Sequence, residues 1–417
     1  MKPLDKNFIP TKPFPDFKWK WASLQCTEGL NDPVVLLGVL FRMHKLEGKG
    51  LHFSSPEFSD ELRGLSEDIK DSIGIDLVGR TGDRNIIRNS GQYWKALGLI
   101  PTRNHTGIIE LTPFGHMVAK HEVSQTEFAA LVIQQLTLPN PNIQSESECS
   151  LWHQHGLNFK PLKLLLEVLV GLYDRSSTYA YMTVEELTNI IIPLSGCKAT
   201  IEDYVNFIIW KRSGEISTEH YPNCIPKSND LRIAREFLLF LSHYGYISCA
   251  EGNTTRLEER YLINTMLLDE IRQIIEEDNA PSLQEKLERL RNSSVTSELE
   301  RKRVAGRPHQ ARFRKEVLEA CQRCVVTNVS MPEVLEAAHI KPYKYHGEDT
   351  VANGFAMRND IHILFDTGHL RISPEGVIDL SQTARLNYGM SIPPTINIPP
   401  FTNRDFLRWR WDNYNGY

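Results

Sequence analysis

Residues 335–370 decide the fold of the C-terminal part and read LEAAHIKPYKYHGEDTVANGFAMRNDIHILFDTGHL. The first residues are apolar and end on His339, a pattern typical of a short β-strand. Residues 341–350 are polar and contain a proline, which predicts a loop. A second short strand is predicted to begin at Asn353, and the helical periodicity of 358–370 predicts a helix. The stretch therefore predicts a strand–loop–strand–helix unit.

The polar residues of this unit suggest a chemistry. The predicted helix places Asn359, His362 and Asp366 on one face, at spacings i, i+3 and i+7. A neutral imidazole can take a proton from water near neutral pH, which is the role we expect for His339. Amide, imidazole and carboxylate groups from Asn353, His362 and Asp366 offer oxygen and nitrogen ligands to one divalent cation. Such a cation would neutralise charge on a phosphodiester.

The motifs LEAAHIKP, NG and IHILFDTGHL resemble the HNH endonuclease family, in the subgroup with an AAHI–NG–H–FD pattern. The resemblance covers about residues 310–415. It implies a ββα-metal fold and Mg²⁺- or Mn²⁺-dependent hydrolysis of double-stranded DNA. It also assigns His339, Asn353 and His362 as catalytic residues. Asn353, His362 and Asp366 are the metal ligands we expect.

Position 338 differs from the commonest form of the family. Many HNH enzymes place Asp or His directly before the base as a metal ligand, whereas this chain has Ala338. Because the Ala338 side chain cannot bind a metal, four alternatives remain for the missing ligand: Asp366, Asn353, Glu336 or a water molecule. The AAHI subgroup shares this alanine, so the change does not by itself imply an inactive domain.

Purely structural alternatives exist for each of these residues. A single histidine at a strand end, such as His339, is more often a core residue than a catalyst. Asn353 and Gly354 form a common turn pair. Asp366 is placed to hydrogen-bond the backbone before the following glycine. The ordered occurrence of all these residues favours the catalytic interpretation.

Bulk composition restricts the class of protein. A length of 417 residues predicts two or three domains. Apolar runs stay below the roughly 18 residues that a membrane span needs, and the N-terminus lacks the apolar segment of a secretory signal. Seven scattered cysteines suit a reducing compartment. We therefore expect a cytoplasmic location and no membrane partner.

The pattern of apolar residues and loops predicts an α+β multidomain fold with a mostly helical N-terminal part. AYMTVEELTNIII echoes LHFSSPEFSDEL, and each is followed by a helix and a hairpin pattern. This echo predicts tandem winged-helix-like modules, separated by a linker at 137–150. The expected divisions are an arm (1–32), module 1 (33–140), module 2 (155–262), a helical linker (263–305) and a C-terminal ββα-metal domain (306–417).

Local concentrations of arginine favour a DNA partner although the net charge is −5. The alternatives are that residues 300–315 form a solvated helix face and that the modules dock proteins. The predicted contacts to DNA phosphates are Arg80, Arg84, Arg88, Arg103, Arg307, Arg312 and Arg314.

Cys321 and Cys324 form a CxxC pair, which alone is half of a zinc site. No cysteine follows residue 324, so a four-cysteine zinc site is excluded. Packing is the preferred interpretation of both residues, and a structural zinc is not expected. Zinc completed by histidines stays open as an alternative.

A DNA reader joined to a nuclease unit suggests an enzyme of the type II restriction kind. Two cuts in a duplex need two sites, which suggests a homodimer, with residues 256–293 as the contact. A DNA methyltransferase acting on the same site would be its partner. One alternative is a modification-dependent or phage-defence nuclease. Another is a DNA-binding regulator with an inactive HNH fold.

Overall fold

The structure is a computed structural model. It describes residues 3–24, 32–73, 91–102, 107–120, 123, 125–224, 230–250, 255–276, 308–331, 334–342, 345 and 347–413.

Helices dominate the described N-terminal part. Their bounds are Pro33–Leu46 (α1), Pro56–Ile73 (α2), Gly91–Ala96 (α3), Pro113–Ala119 (α4), Gln125–Gln135 (α5), Glu146–Gln154 (α6), Pro161–Arg175 (α7), Val184–Glu186 (α8), Ile192–Leu194 (α9), Ile201–Arg212 (α10), Asp230–His243 (α11) and Leu268–Glu276 (α12). A π-helical turn, Leu187–Ile191, joins α8 to α9. A 3₁₀ turn, Trp21–Leu24, precedes α1.

Short antiparallel strands accompany these helices. The N-terminal part has a sheet of order β1–β3–β2, formed by Tyr181–Thr183 (β1), Ile247–Cys249 (β2) and Arg260–Ile263 (β3). The C-terminal part pairs Leu335–His339 (β4) with Gly354–Arg358 (β5), and Leu370–Ile372 (β6) with Ile378–Leu380 (β7). Its helices are Pro308–Cys321 (α13), Asn359–Asp366 (α14), Gln382–Tyr388 (α15) and Arg404–Asn413 (α16).

Caps and prolines explain where several helices begin. Asp32 accepts a hydrogen bond from Val34 N at the start of α1, and Pro33 is the first helical residue. Thr200 and Asp203 form a reciprocal capping box at the start of α10. These local signals fix the first turns, and burial of the apolar faces then stabilises the helices.

Buried apolar side chains of the described residues form two clusters. The first extends from Phe17 to Ile271 and also includes Val334. The second extends from Cys324 to Leu407. The predicted modules therefore share a continuous core, and Val334 inserts into that core from the residue just before β4. Their assignment as tandem winged-helix modules stays a prediction.

Two of the predicted connecting segments contain regular structure. The predicted linker at 137–150 runs into α6, whose Trp152 is only 1% exposed. The charged segment 256–293 is not uniformly helical, because β3 lies in it and pairs with both β1 and β2. Ile271 of α12 is fully buried within the chain. Described residues of both segments therefore contribute to the fold of the chain, and the homodimer contact at 256–293 stays a prediction.

Among the described residues, no helix combines the length and apolarity needed to cross a membrane.

Arg212 at the end of α10 connects that helix to β1 and α8. It makes two hydrogen bonds to Glu186, of 2.7 and 3.0 Å, and donates to the carbonyls of Tyr179 and Tyr181. Its guanidinium also lies 3.8 Å from the centre of the Tyr181 ring. Only 12% of the Arg212 side chain and 7% of the Glu186 side chain are exposed. The planar, multidentate guanidinium is therefore required here.

We predict that Arg212→Lys lowers the free energy of unfolding by about 2–4 kcal/mol, because lysine leaves Glu186 and two carbonyls incompletely paired. Urea denaturation would measure the loss. Arg175→Lys is the matched control, since Arg175 pairs with Glu202 at the surface and should change stability by less than about 0.5 kcal/mol. Equal losses in both variants would contradict a special role for Arg212.

Candidate active site

The β4–β5 hairpin forms the centre of the C-terminal part. Ala338 pairs with Phe355, and His339 pairs with Gly354. Neighbouring residues of a strand point to opposite faces. Ala338 and Phe355 belong to the same buried cluster as Phe365 of α14. His339 points to the other face, against α13.

The ring of His339 is held by two contacts. It stacks on the Phe313 ring of α13, with centroids 4.0 Å apart and planes inclined by 14°. Its Nε2 lies 2.8 Å from Oδ1 of Asp349. In the tautomer with hydrogen on Nε2, Asp349 accepts that hydrogen bond and Nδ1 keeps its lone pair. The ring is therefore oriented as a general base requires.

Asn353 holds the loop between β4 and β5 in place. Its amide is fully buried; Oδ1 accepts from Lys341 N at 2.8 Å, and Nδ2 donates to Lys341 O and Glu348 O, both at 2.9 Å. The prediction that Asn353 is a metal ligand disagrees with this geometry, because every polar atom of the amide is buried and has a backbone partner. Asn353 is a positioning residue, since Glu348 directly precedes Asp349.

Gly354 belongs to the sheet and is not a turn residue. It pairs with His339, and a Cβ at this position would lie 2.9 Å from atoms of the Phe313 ring. Such a contact is too close for a side chain. The absence of a Cβ allows the same phenylalanine to lie against the hairpin and beneath the His339 ring. Asn353 therefore hydrogen-bonds the loop, whereas Gly354 leaves room for the Phe313 ring.

His362 lies between two carboxylates. Its Nδ1 is 3.0 Å from Oε2 of Glu336, and its Nε2 is 3.0 Å from Oδ2 of Asp366, one turn further along α14. Burial alone would lower the pKa of His362, but the charges and hydrogen bonds of Asp366 and Glu336 outweigh it and raise the pKa to about 10. Both sides of this imidazole therefore favour positive charge.

Asp366 shows the complementary shift. Burial raises its pKa, but His362 and the Arg410 guanidinium outweigh that effect and lower the pKa to about 2. Because 43% of the Asp366 side chain is exposed, solvent screens part of this interaction. The carboxylate is ionised at neutral pH and reaches the surface.

His362 and Asp366 together fit a divalent cation. A cation would replace the proton that Nε2 of His362 shares with Asp366, and would bind the imidazole nitrogen and the carboxylate oxygen, which lie 3.0 Å apart. Asp366 is open to solvent, where water or phosphate can complete the coordination. Glu336 on the opposite nitrogen fixes the ring orientation, as a carboxylate behind a metal-binding histidine commonly does. Of the four alternatives for the missing ligand, Asp366 fits best.

Glu336 is occupied by other partners. Its carboxylate is only 3% exposed; Oε1 accepts from the backbone N–H of Gln125 at 3.1 Å and lies 3.5 Å from Nη1 of Arg314. Burial raises the pKa of Glu336, but His362, Arg314 and the Gln125 N–H outweigh it and the pKa is lowered. Gln125 is the first residue of α5, so this carboxylate also binds the N-terminus of a helix in the first cluster.

Arg410 of α16 is a site residue that the sequence did not reveal. It is 2% exposed and donates to the carbonyls of His339, Ile340 and Phe365 and to Oδ1 of Asp366. It therefore connects the end of β4 with the end of α14. Asp349 was missed as well. Their signals are weak in sequence: an arginine in the RWRW run and one acid in a polar loop.

Of the arginines predicted to contact DNA, Arg314 is the one whose side chain the structure describes. Arg314 is 6% exposed and donates to Leu335 O at 2.8 Å in addition to facing Glu336. The prediction that it contacts DNA phosphate disagrees with this burial. The side chain of Arg312 lies outside the described residues, as do the following residues in full: Arg80, Arg84, Arg88, Arg103 and Arg307.

The two thiols of the CxxC pair accept hydrogen bonds from the backbone. Cys321 Sγ accepts from Ala356 N, and Cys324 Sγ accepts from Thr327 N, both at 3.4 Å. Both thiols are free of disulfide bonds.

We predict that Asn353→Ala lowers the free energy of unfolding by about 2–4 kcal/mol, because it leaves three buried backbone groups without their partner. Hydrogen exchange in the peptide 341–349 should accelerate as the loop loosens. Asn413→Ala is the matched control, since Asn413 is exposed and donates to Trp409 O alone. Unchanged exchange in Asn353→Ala would show that the loop does not depend on this amide.

The comparison with protein families agrees with this geometry. No curated protein matches the chain. Residues 324–373 match the family described as HNH endonuclease, and the match contains His339, Asn353, His362 and Asp366. The C-terminal part of the chain therefore carries an HNH endonuclease domain.

Proposed function

We propose that the chain is a divalent-metal-dependent endonuclease that hydrolyses phosphodiester bonds in double-stranded DNA. One observation carries the proposal: within the HNH-matched residues, an oriented imidazole ends β4 and a histidine–aspartate donor pair lies on the helix packed against that strand. The first group can activate water, and the second can hold a cation.

His339 supplies the proton acceptor in this proposal. Asp349 accepts the hydrogen of Nε2, which fixes the tautomer and leaves the lone pair on Nδ1 for a water proton. The proton then rests on Nδ1, and the Asp349 carboxylate stabilises the resulting imidazolium. Phe313 keeps the ring plane fixed during the transfer. Asn353 contributes indirectly, by holding the loop that carries Asp349.

His362 and Asp366 would hold Mg²⁺ or Mn²⁺. When bound, the cation supplies positive charge that neutralises the scissile phosphate and the leaving oxygen. Glu336 orients His362 from behind, and Arg410 orients Asp366 through Oδ1, which leaves Oδ2 to face the His362 nitrogen. These two supporting contacts preorganise the donor pair before a cation binds.

The N-terminal part is the proposed DNA reader, giving type II restriction specificity. Its contact with the nuclease domain supports this proposal: Gln125 N–H bonds Glu336, and Val334 lies in the N-terminal core. A homodimer would supply the second active site for a double-strand cut. A DNA methyltransferase of the same specificity would protect the host sequence.

Purified full-length protein incubated with plasmid and with phage DNA tests the proposal, with Mg²⁺, Mn²⁺ or EDTA in parallel. Discrete fragments with either cation and none with EDTA are expected. Cutting of modified DNA alone would replace restriction with a modification-dependent activity. Binding without cutting under every cation would overturn the nuclease proposal.

We predict that His339→Ala slows single-turnover cleavage by about 10²–10⁴-fold, the usual contribution of general-base catalysis. Asp349→Asn should slow it less, by about 10–100-fold, because the base remains but loses its orienting carboxylate. The matched control is His220→Ala, which removes an exposed histidine of the N-terminal part. Wild-type rates in His339→Ala would exclude this residue as the base.

We predict that Asp366→Asn raises the Mn²⁺ concentration needed for half-maximal cleavage by at least about tenfold, because a charged ligand becomes a neutral one. The amide oxygen can still accept from Arg410, so the fold should persist. Asp412→Ala, which removes an exposed acid of α16, should leave the Mn²⁺ dependence unchanged. A fixed rate loss at all Mn²⁺ concentrations would contradict a ligand role.

A further inference from the structure

A second group of metal-ligand side chains lies in the N-terminal part, outside the HNH-matched residues. His44 is in the last turn of α1, Glu47 directly follows that helix, and His116 lies on α4. One potential ligand atom from each lies within 4.8 Å of those of the other two. The three residues come from two helices that pack against each other, so the fold itself brings them together.

The distances suit a small ion. Oε2 of Glu47 lies 3.1 Å from Nε2 of His116 and 4.0 Å from Nδ1 of His44. Ligands at zinc–nitrogen and zinc–oxygen distances of about 2.0–2.1 Å are ~3.3 Å apart in a tetrahedral site. The two separations from the Glu47 oxygen bracket that value, and the two imidazole nitrogens lie within 4.8 Å of each other, so rotations of the side chains would bring all three atoms to one zinc ion.

The glutamate is already oriented towards the two histidines. Its other oxygen, Oε1, accepts a hydrogen bond of 2.8 Å from Leu111 N. This bond fixes the carboxylate and leaves Oε2 for the imidazoles. The rings of His44 and His116 are 5.2 Å apart and nearly perpendicular, at 84°. The two rings therefore approach the same carboxylate oxygen from different directions, as ligands around one ion do.

Two buried imidazole nitrogens add an independent observation. Nδ1 of His44 and Nδ1 of His116 are both inaccessible to solvent and, among the described residues, have no hydrogen-bond partner. A buried polar atom without a partner costs free energy. A cation beside Glu47 would satisfy Nδ1 of His44 directly. An ion pair between Glu47 and His116 leaves the His44 nitrogen without a partner, and neither arrangement supplies one for Nδ1 of His116.

We propose that His44, Glu47 and His116 form a zinc site that clips the end of α1 to α4. Two imidazoles and one carboxylate are a donor set that zinc accepts and that Mg²⁺, which prefers oxygen, does not. The three side chains are 35%, 23% and 30% exposed, so a water molecule can occupy the fourth position. The site lies outside the HNH-matched residues 324–373, and none of its three ligands is a cysteine.

Zinc content of the full-length protein tests the proposal. The protein is loaded with Zn²⁺, dialysed, and its zinc measured by mass spectrometry in an Asp366→Asn background, which removes the charged ligand of the nuclease donor pair and keeps His362 beside Glu336. We expect about one bound zinc per chain, lost in His116→Ala and retained in the matched control His220→Ala. Equal zinc content with and without His116 would overturn the proposal.

Glu47→Gln separates metal binding from folding. Glutamine keeps an amide oxygen to accept from Leu111 N but loses the anionic ligand. Thermal unfolding of the Asp366→Asn protein should shift upwards with rising Zn²⁺ concentration, because a ligand that binds only the folded state stabilises it. The shift should be absent in Glu47→Gln, although its melting without zinc stays close to that of the parent. An equal zinc-dependent shift in both proteins would contradict the assignment.

Discussion

The buried carboxylate of Glu336 is the interaction on which the site depends. An uncompensated charge in a protein interior is strongly destabilising, so its partners must all be in place. Arg314 comes from α13, His362 from α14, and the N–H of Gln125 from the start of α5. The Glu336 side chain thus contacts His362, Arg314 of α13 and the N-terminal part of the chain.

Two other buried side chains satisfy backbone groups around the hairpin in the same way. Asn353 satisfies backbone atoms of Lys341 and Glu348, and Arg410 satisfies carbonyls at the ends of β4 and α14. Because these buried polar groups are paired, the loop and the strand end have little freedom. His339 and Asp366 are consequently held by surroundings that do not themselves take part in the chemistry.

Sequence periodicity was sufficient to predict that residues 335–366 contain two strands followed by a helix. The predicted strands correspond to β4 and β5, because each has a strong local pattern. The predicted helix over 358–370 corresponds to α14 but ends at Asp366, and Leu370 begins β6. The spacing of His362 and Asp366 also follows directly from helix geometry, so their proximity was predictable.

Loop conformation and long-range pairing were not predictable. The role of Asn353 depends on which carbonyls the loop turns towards it, and no periodicity encodes that. Arg314 looked like part of a basic surface because its partner, Glu336, lies in a strand that follows much later in the chain. An acid inside an otherwise apolar strand was the available signal that a buried cation must exist nearby. The helix after residue 145 was missed because its polar residues resembled a linker.

The alanine at position 338 makes the hydrogen bond between Glu336 and His362 more important for the proposed metal site. Many HNH enzymes have a metal ligand directly before the catalytic histidine, whereas this chain has the buried methyl group of Ala338. In the proposed pair of His362 and Asp366, Asp366 is therefore the one charged ligand. A hydrogen bond from Nδ1 to a carboxylate makes an imidazole a stronger ligand, and Glu336 supplies it. That carboxylate shares its charge with the N-terminus of α5. Moving the N-terminal part away would remove one of the hydrogen bonds of Glu336, so in the proposed metal site the strength of His362 as a ligand would depend on the contact between Glu336 and α5.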